Sequence, residues 1–490
     1  NGNTLTVSGT ESLTGSTGND LVTLGAGISG ATFNLGAGTD TLTLSLGNHT
    51  VTVNNVESVL GDGGTDAITF SNVVTGGSYD LAAGTDQVTL GNGSSANTIT
   101  VSNAESFTGS SAADTVTFGA AVAAGTVNLG VGADSLTLAS GTNALTVTAT
   151  ESITGNAGAD TITLGGAMAA GTFDLLGGND ELILANGTNA ITATNIESIL
   201  GGTGGDTITL GTGSTAATVD LGAGADALNL AAAGGTFTVS GTESITGGAA
   251  ADLVTLGAAI SGATVNLAGD TGDVLTLANG SNTVTAVGVE TVVGGNAGDT
   301  VVLTNTTNAL TVSGVETVVG NSGNDSLSLT NIANTLTISS IETLTGGTLN
   351  DAITLSTAVS GASYDLAGGS DTITLASGAN NLTVTGVESV VGGGATDTLT
   401  LGGNGSTLTV SAVETIAGST GDDVVTLGTS VSGGNFDLAG GNDTLNLAAG
   451  GNTLTVSGNV ETLVGGAGND LITIGSAVTG LTYDLGSGAD

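Results

Sequence analysis

Carboxylates are the only side chains in this sequence numerous enough to do chemistry, and their spacing is regular. The 490 residues hold 43 aspartates and glutamates, one histidine, and no lysine, arginine or cysteine, for a formal charge of −43. An aspartate opens each stretch of the form Asp-x-Φ-Thr-Φ, where Φ is apolar. These aspartates are Asp20, Asp40, Asp66, Asp86, Asp114, Asp134, Asp160, Asp180, Asp206, Asp226 and Asp252. They continue as Asp273, Asp299, Asp325, Asp351, Asp371, Asp397, Asp423, Asp443, Asp470 and Asp490. Successive members lie about 20 or about 26 residues apart. Two carboxylates about 5 Å apart repel by roughly 0.8 kcal/mol even at the dielectric of water. With no basic residue to answer that charge, the expected partner is a cation, and oxygen-only ligands suit calcium. Turn capping, with Asp accepting backbone N–H groups, is the alternative use.

Two further sets keep step with the aspartates. A glutamate stands nine residues ahead of twelve of these 21 aspartates, at Glu11, Glu57, Glu105, Glu151, Glu197, Glu243, Glu290, Glu316, Glu342, Glu388, Glu414 and Glu461. The reading favoured for this set is a solvated face rather than a second cation ladder. In the remaining intervals an Asn or Asp precedes by six or seven residues, as at Asn34, Asp80, Asn128, Asp174, Asp220, Asn266, Asp365, Asp437 and Asp484. These suggest an external amide ladder. His49 has no partner pattern and reads as a surface residue. Polar groups in register, rather than gathered at one cleft, argue against an enzyme.

The elements that must position these groups are short strands. Thr-Φ-Thr-Φ alternation recurs throughout and has the period of two that marks a strand, and no segment shows helical periodicity. A 20-residue interval holds two strand-like runs and a 26-residue interval three, giving a 46-residue superunit. A unit this small cannot bury its apolar face alone but can when stacked on its copies. The expectation is an all-β parallel solenoid, a β-roll or β-helix of about 21 coils forming one array over residues 1–490. Val, Leu and Ile face inward, threonine outward, and glycine takes the corners. Phe33, Tyr79, Phe173, Tyr364, Phe436 and Tyr483 share one register, so some are expected to stack as an inner aromatic ladder. Neither end carries a polar cap, so the array is expected to continue in a longer polypeptide or assemble with neighbouring copies.

Composition removes several partner classes. A chain without Lys or Arg cannot neutralise phosphates, which argues against nucleic acid and anionic lipid surfaces. No apolar run reaches the 18 residues of a membrane-spanning helix. Disorder is disfavoured because 39% of the residues are hydrophobic and the charges occupy fixed positions. Threonine rows such as Thr98 and Thr100, or Thr453 and Thr455, leave a water-ordering or adhesive binding face as the rival to a structural role.

The turn GGAGNDLIT, Gly465 to Thr473, resembles the G-G-x-G-x-D-x-U-x nonapeptide of the RTX, or haemolysin-type calcium-binding, repeats. GGTGGDTIT, Gly201 to Thr209, resembles it equally. Near matches are GSTGNDLVT at Gly15, GDGGTDAIT at Gly61, GNAGADTIT at Gly155, GNSGNDSLS at Gly320 and GSTGDDVVT at Gly418. The resemblance implies a parallel β-roll in which turn carbonyls and the aspartate bind calcium between coils. It implies that role for Asp20, Asp66, Asp160, Asp206, Asp325, Asp423 and Asp470. One good match per 46 residues, rather than a tandem run, leads to an expectation of binding along a single edge. By the same resemblance the chain is expected to be a structural segment of a secreted bacterial surface protein: a surface layer, filament or adhesin stalk.

Overall fold

The computed structural model describes residues 1–457, 459–476 and 480–490. They form an all-β parallel solenoid without helix, in two compact units, residues 1–252 and 253–490. In each unit the chain alternates strand by strand between two parallel sheets, so one turn contains two strands. In the first unit, Thr4–Val7, Leu21–Leu24, Thr41–Thr43 and Ser58–Asp62 are successive neighbours in one sheet. Ser12–Ser16, Ser29–Gly36, His49–Asn54 and Asp66–Phe70 are successive neighbours in the other. The second unit repeats the plan, with Thr300–Leu303, Thr317–Val319, Thr335–Ser339 and Ala352–Leu355 in one sheet.

The pairing register corrects the expected coil lengths. Val22 lies beside Leu42, and Leu42 beside Val59, so a turn takes 20 or 17 residues here. The 26-residue interval with three strands is therefore one and a half turns rather than one long coil. A 46-residue superunit holds five strands, two and a half turns. Each superunit thus begins on the sheet opposite to the one before it: Asp20 leads into the first sheet, Asp66 into the second and Asp114 into the first again.

Alternation sets the core. Val22 and Leu24 are buried while Thr23 between them is half-exposed, as the period of two requires. Phe33, Tyr79, Phe173, Tyr364 and Phe436 are also buried. They do not form the expected ladder, because the stacked neighbours in their register are aliphatic. Phe33 sits between Leu13 and Val53, and Phe173 between Ile153 and Ala193. The one aromatic contact among the described residues is edge-on, Phe70 against Tyr79 with centroids 4.8 Å apart. Tyr79 and Tyr364 hide their hydroxyls by donating to the carbonyls of Val56 and Ile341, at 2.7 and 2.8 Å. No described helix is long and apolar enough to cross a membrane.

Candidate functional site: the acidic corner columns

At most places where a turn hands over to a strand, the corner carries a polar side chain. Stacking these corners creates a repeating series. At the entry to the first sheet it reads Asn97, Asp114, Asp134, Glu151, then Asn189, Asp206, Asp226, Glu243. At the entry to the second it reads His49, Asp66, Asp86, Glu105, then Asn143, Asp160, Asp180, Glu197. In the second unit the series is sometimes shortened, as in Asn282, Asp299, Glu316. All the aspartates singled out by spacing are buried except Asp490, which is exposed.

One hydrogen-bond pattern holds each series together. The carboxylate of each acidic member accepts the backbone N–H of the member one turn earlier. Asn189 N donates to Asp206 Oδ1 at 2.8 Å, Asp206 N to Asp226 Oδ1 at 2.6 Å, and Asp226 N to Glu243 Oε2 at 2.9 Å. The other edge repeats this through Asp160 N to Asp180 Oδ1, 2.7 Å, and Asp180 N to Glu197 Oε2, 2.9 Å. In the second unit, Asp351 N donates to Asp371 Oδ1 at 2.7 Å and Asp371 N to Glu388 Oε2 at 2.7 Å. A carboxylate accepting N–H bonds is stabilised in its charged form. Main-chain amides therefore supply part of the positive potential that the composition lacks.

The asparagine that opens a series is the member that sequence spacing did not single out. Asn189 Nδ2 donates to the carbonyls of Ala185 and Gly187 and to Asp206 Oδ1, at 2.8, 2.9 and 2.9 Å. Its Oδ1 accepts the N–H of Met168, 3.0 Å away. Asn143, Asn282, Asn380 and Asn452 repeat these side-chain donations to the next aspartate. The signal was present as an Asn 17 residues before the aspartate, as with Asn189 and Asp206.

Three sequence expectations change here. The glutamates are not a separate solvated face; each described run of aspartates at Asp40, Asp86, Asp134, Asp180, Asp226 and Asp371 is closed by one. Acidic turns occupy both edges rather than one, because the superunit advances by a half-integral number of turns. His49 is not on the surface: it is 1% exposed and holds the asparagine's place. Its Nε2 lies 2.6 Å from the Ser45 carbonyl, while Nδ1 is buried without a partner. The external amide ladder is present as expected at several positions. Asn103 donates to Asp80, Asn195 to Asp174 and Asn459 to Asp437, and each acceptor also caps the N–H two residues on.

The second carboxylate oxygen separates the aspartates into two kinds. In Asp20, Asp114, Asp299, Asp325, Asp397 and Asp423, Oδ2 accepts the N–H of the residue four positions earlier. In Asp40, Asp66, Asp86, Asp134, Asp180, Asp206, Asp226, Asp371, Asp443 and Asp470, Oδ2 is buried with no hydrogen-bond partner. Burial pushes the carboxyls of Asp86, Asp134, Asp180 and Asp443 up to about 6, against the N–H bonds they accept, with neighbouring carboxylates adding to the rise. Asp226 and Asp371 move the same way for the same cause.

These atoms test whether calcium fits. Oδ1 does not suit a bridging ion, because an N–H from the neighbouring turn already fills the space between turns. The donor-free Oδ2 does suit one, being a buried acceptor with nothing to accept. Among the described residues no three acidic or imidazole groups are gathered closely enough to hold a metal ion by themselves. An ion would complete its six to eight oxygen ligands from main-chain carbonyls and water. The glycines of GGTGGD keep that turn tight. Gly204 has φ +144°, and a Cβ at Gly201 would strike the Leu221 carbonyl.

Two shallow grooves, each of about 420 Å³, are spaced by one superunit. One is lined by Ala124, Thr126, Thr146 and Thr163 and the other by the equivalent Ala170, Thr172, Thr192 and Thr209. Compared with known proteins, the chain matches no family model and no curated sequence.

Proposed function

We propose that this chain is a calcium-supported structural segment of a secreted bacterial cell-surface protein, contributing to a surface layer, an extracellular filament or an adhesin stalk. The observation that carries the reading is the pair of corner columns, in which main-chain amides hold one oxygen of each carboxylate and many second oxygens lie buried without a donor. Among the aspartates of the nonapeptide-like turns, Asp66, Asp206 and Asp470 have an Oδ2 that is free in this sense, and Asp206 and Asp470 belong to the two full matches. Bound calcium would supply the positive charge those oxygens lack. The protein's own residues do the rest: amides orient the carboxylates, glycines admit close stacking, and the aliphatic core excludes water.

Chemistry spread evenly along a repeat suits load-bearing and spacing rather than turnover, so the reading is non-catalytic. Calcium that binds the folded chain and not the unfolded one links folding to the millimolar calcium outside cells. Neighbouring copies are the natural partners of such a segment. Thermal unfolding followed by far-UV circular dichroism, with calcium and with EDTA, tests this. A melting temperature higher by several degrees in calcium supports it, and identical melts contradict it.

A second reading, a binding module, is favoured by one observation. The two grooves carry the same residue types and are repeated on both sheets, an arrangement that suits multivalent contact.

A further inference from the structure

The calcium reading leaves open which corners take the ion, and hydrogen-bond partnering decides between them. We propose that calcium binds at two places in the first unit, Asp66 with Asp86 and Asp206 with Asp226, and that corners with both carboxylate oxygens capped by amides are closed to it. The proposal rests on the calcium reading above and narrows it to named atoms.

Asp206 and Asp226 are 0% and 1% exposed, and both Oδ2 atoms lack a donor. They sit on adjacent turns, tied by the 2.6 Å bond from Asp206 N to Asp226 Oδ1. Asp66 and Asp86 repeat the arrangement through a 2.7 Å bond, and both their Oδ2 atoms are likewise buried and donor-free. Two stacked turns thus present two buried acceptors with no hydrogen-bond donor, which is the condition a divalent cation relieves.

At Asp114, Asp160 and Asp299 the first aspartate of the run is closed. Asp114 takes Asn97 N on Oδ1 and Ser110 N on Oδ2, at 3.1 and 2.7 Å. Asp160 takes Asn143 N on Oδ1 and the amide of Asn156 on Oδ2, at 2.8 and 3.0 Å. Asp299 takes Asn282 N and Gly295 N, at 3.0 and 2.7 Å. An N–H directed at an oxygen occupies the lone pair an ion would use. The cause lies in the turns. Ser110, Asn156 and Gly295 direct a donor back at the aspartate within hydrogen-bond range, whereas GGTGGD leaves Oδ2 bare and in GDGGTD the Asp62 N–H faces the Asp66 carboxylate without reaching hydrogen-bond geometry.

The test uses the full chain, stripped with chelator and titrated with calcium chloride at pH 7.5 by calorimetry. Asp66→Asn and Asp206→Asn are the open variants, and each keeps an Oδ1 acceptor for its column bond. Asp114→Asn and Asp299→Asn are the closed ones, where the new amide must set one of its N–H groups against a backbone N–H. Each open variant is expected to lose one calcium site while its melting temperature in EDTA stays level or rises. Each closed variant is expected to keep the wild-type site count and to melt lower in EDTA. Calcium binding by the wild type that survives in both open variants, or falls equally in the closed ones, overturns this assignment and leaves the calcium reading standing. A wild type that binds no calcium at millimolar concentration overturns both.

Discussion

The backbone N–H of Asn189 and its side-chain Nδ2 both donate to the same oxygen, Oδ1 of Asp206, at 2.8 and 2.9 Å. A single buried amide thereby clamps two consecutive turns and closes its own loop. Asn189→Ala removes the three donations and the acceptor for Met168 N, leaving several buried groups unsatisfied. Such losses cost about 2–4 kcal/mol together. Urea denaturation should show a lower midpoint for this variant, and a midpoint unchanged from wild type would deny the clamp its role.

Acid should strengthen the metal-free protein over a defined range. The folded-state carboxyls of Asp86, Asp134, Asp180 and Asp443 stand at about 6, above the ordinary value near 4. A raised folded value contributes stability that is complete below about pH 4 and is lost as the pH climbs through about 6. In EDTA the melting temperature is therefore expected to rise as the pH falls from 7.5 to 5. Differential scanning calorimetry across that interval checks the sign.

His49 stands where other series carry asparagine, and its Nδ1 is buried without a partner. His49→Asn installs the side chain that bonds Asp160 or Asp206 from the same place. The variant is expected to melt at or above the wild-type temperature. A clear drop would mean that the imidazole contributes packing or charge that asparagine cannot replace.

Phe173 is fully buried between Ile153 and Ala193 of the adjacent turns. Truncation to alanine leaves a cavity among aliphatic neighbours that are fixed by sheet register and cannot collapse into it. The expected loss is about 3–5 kcal/mol, seen as a lower denaturant midpoint with far-UV circular dichroism of the native baseline unchanged.

Strand positions, inward and outward faces and the parallel stacking were legible because a period of two and a fixed aspartate interval depend only on local chemistry. Asp20 through Asp470 could be placed at corners for the same reason. The number of strands per turn was not legible. It depends on whether the stretch from Asp40 to Asp66 closes once or one and a half times around the core, which only pairing between distant residues decides. That ambiguity concealed Glu57 as the partner of Asp40, a 2.8 Å bond across 17 residues. It also led the isolated His49 to be read as a surface residue. Charge counting made cations look obligatory because it omits the main-chain N–H groups, and these appear only once neighbouring turns are stacked.

The odd number of strands in each superunit has a genetic consequence. Excising the 46 residues from Thr115 to Asp160 within the first unit would rejoin matching ends, since Asp114 and Asp160 both precede a Thr-Φ-Thr-Φ run. Everything downstream to the end of that unit would nevertheless exchange one sheet for the other. Deleting or duplicating two superunits together would restore every groove, turn and exposed side chain to its original side.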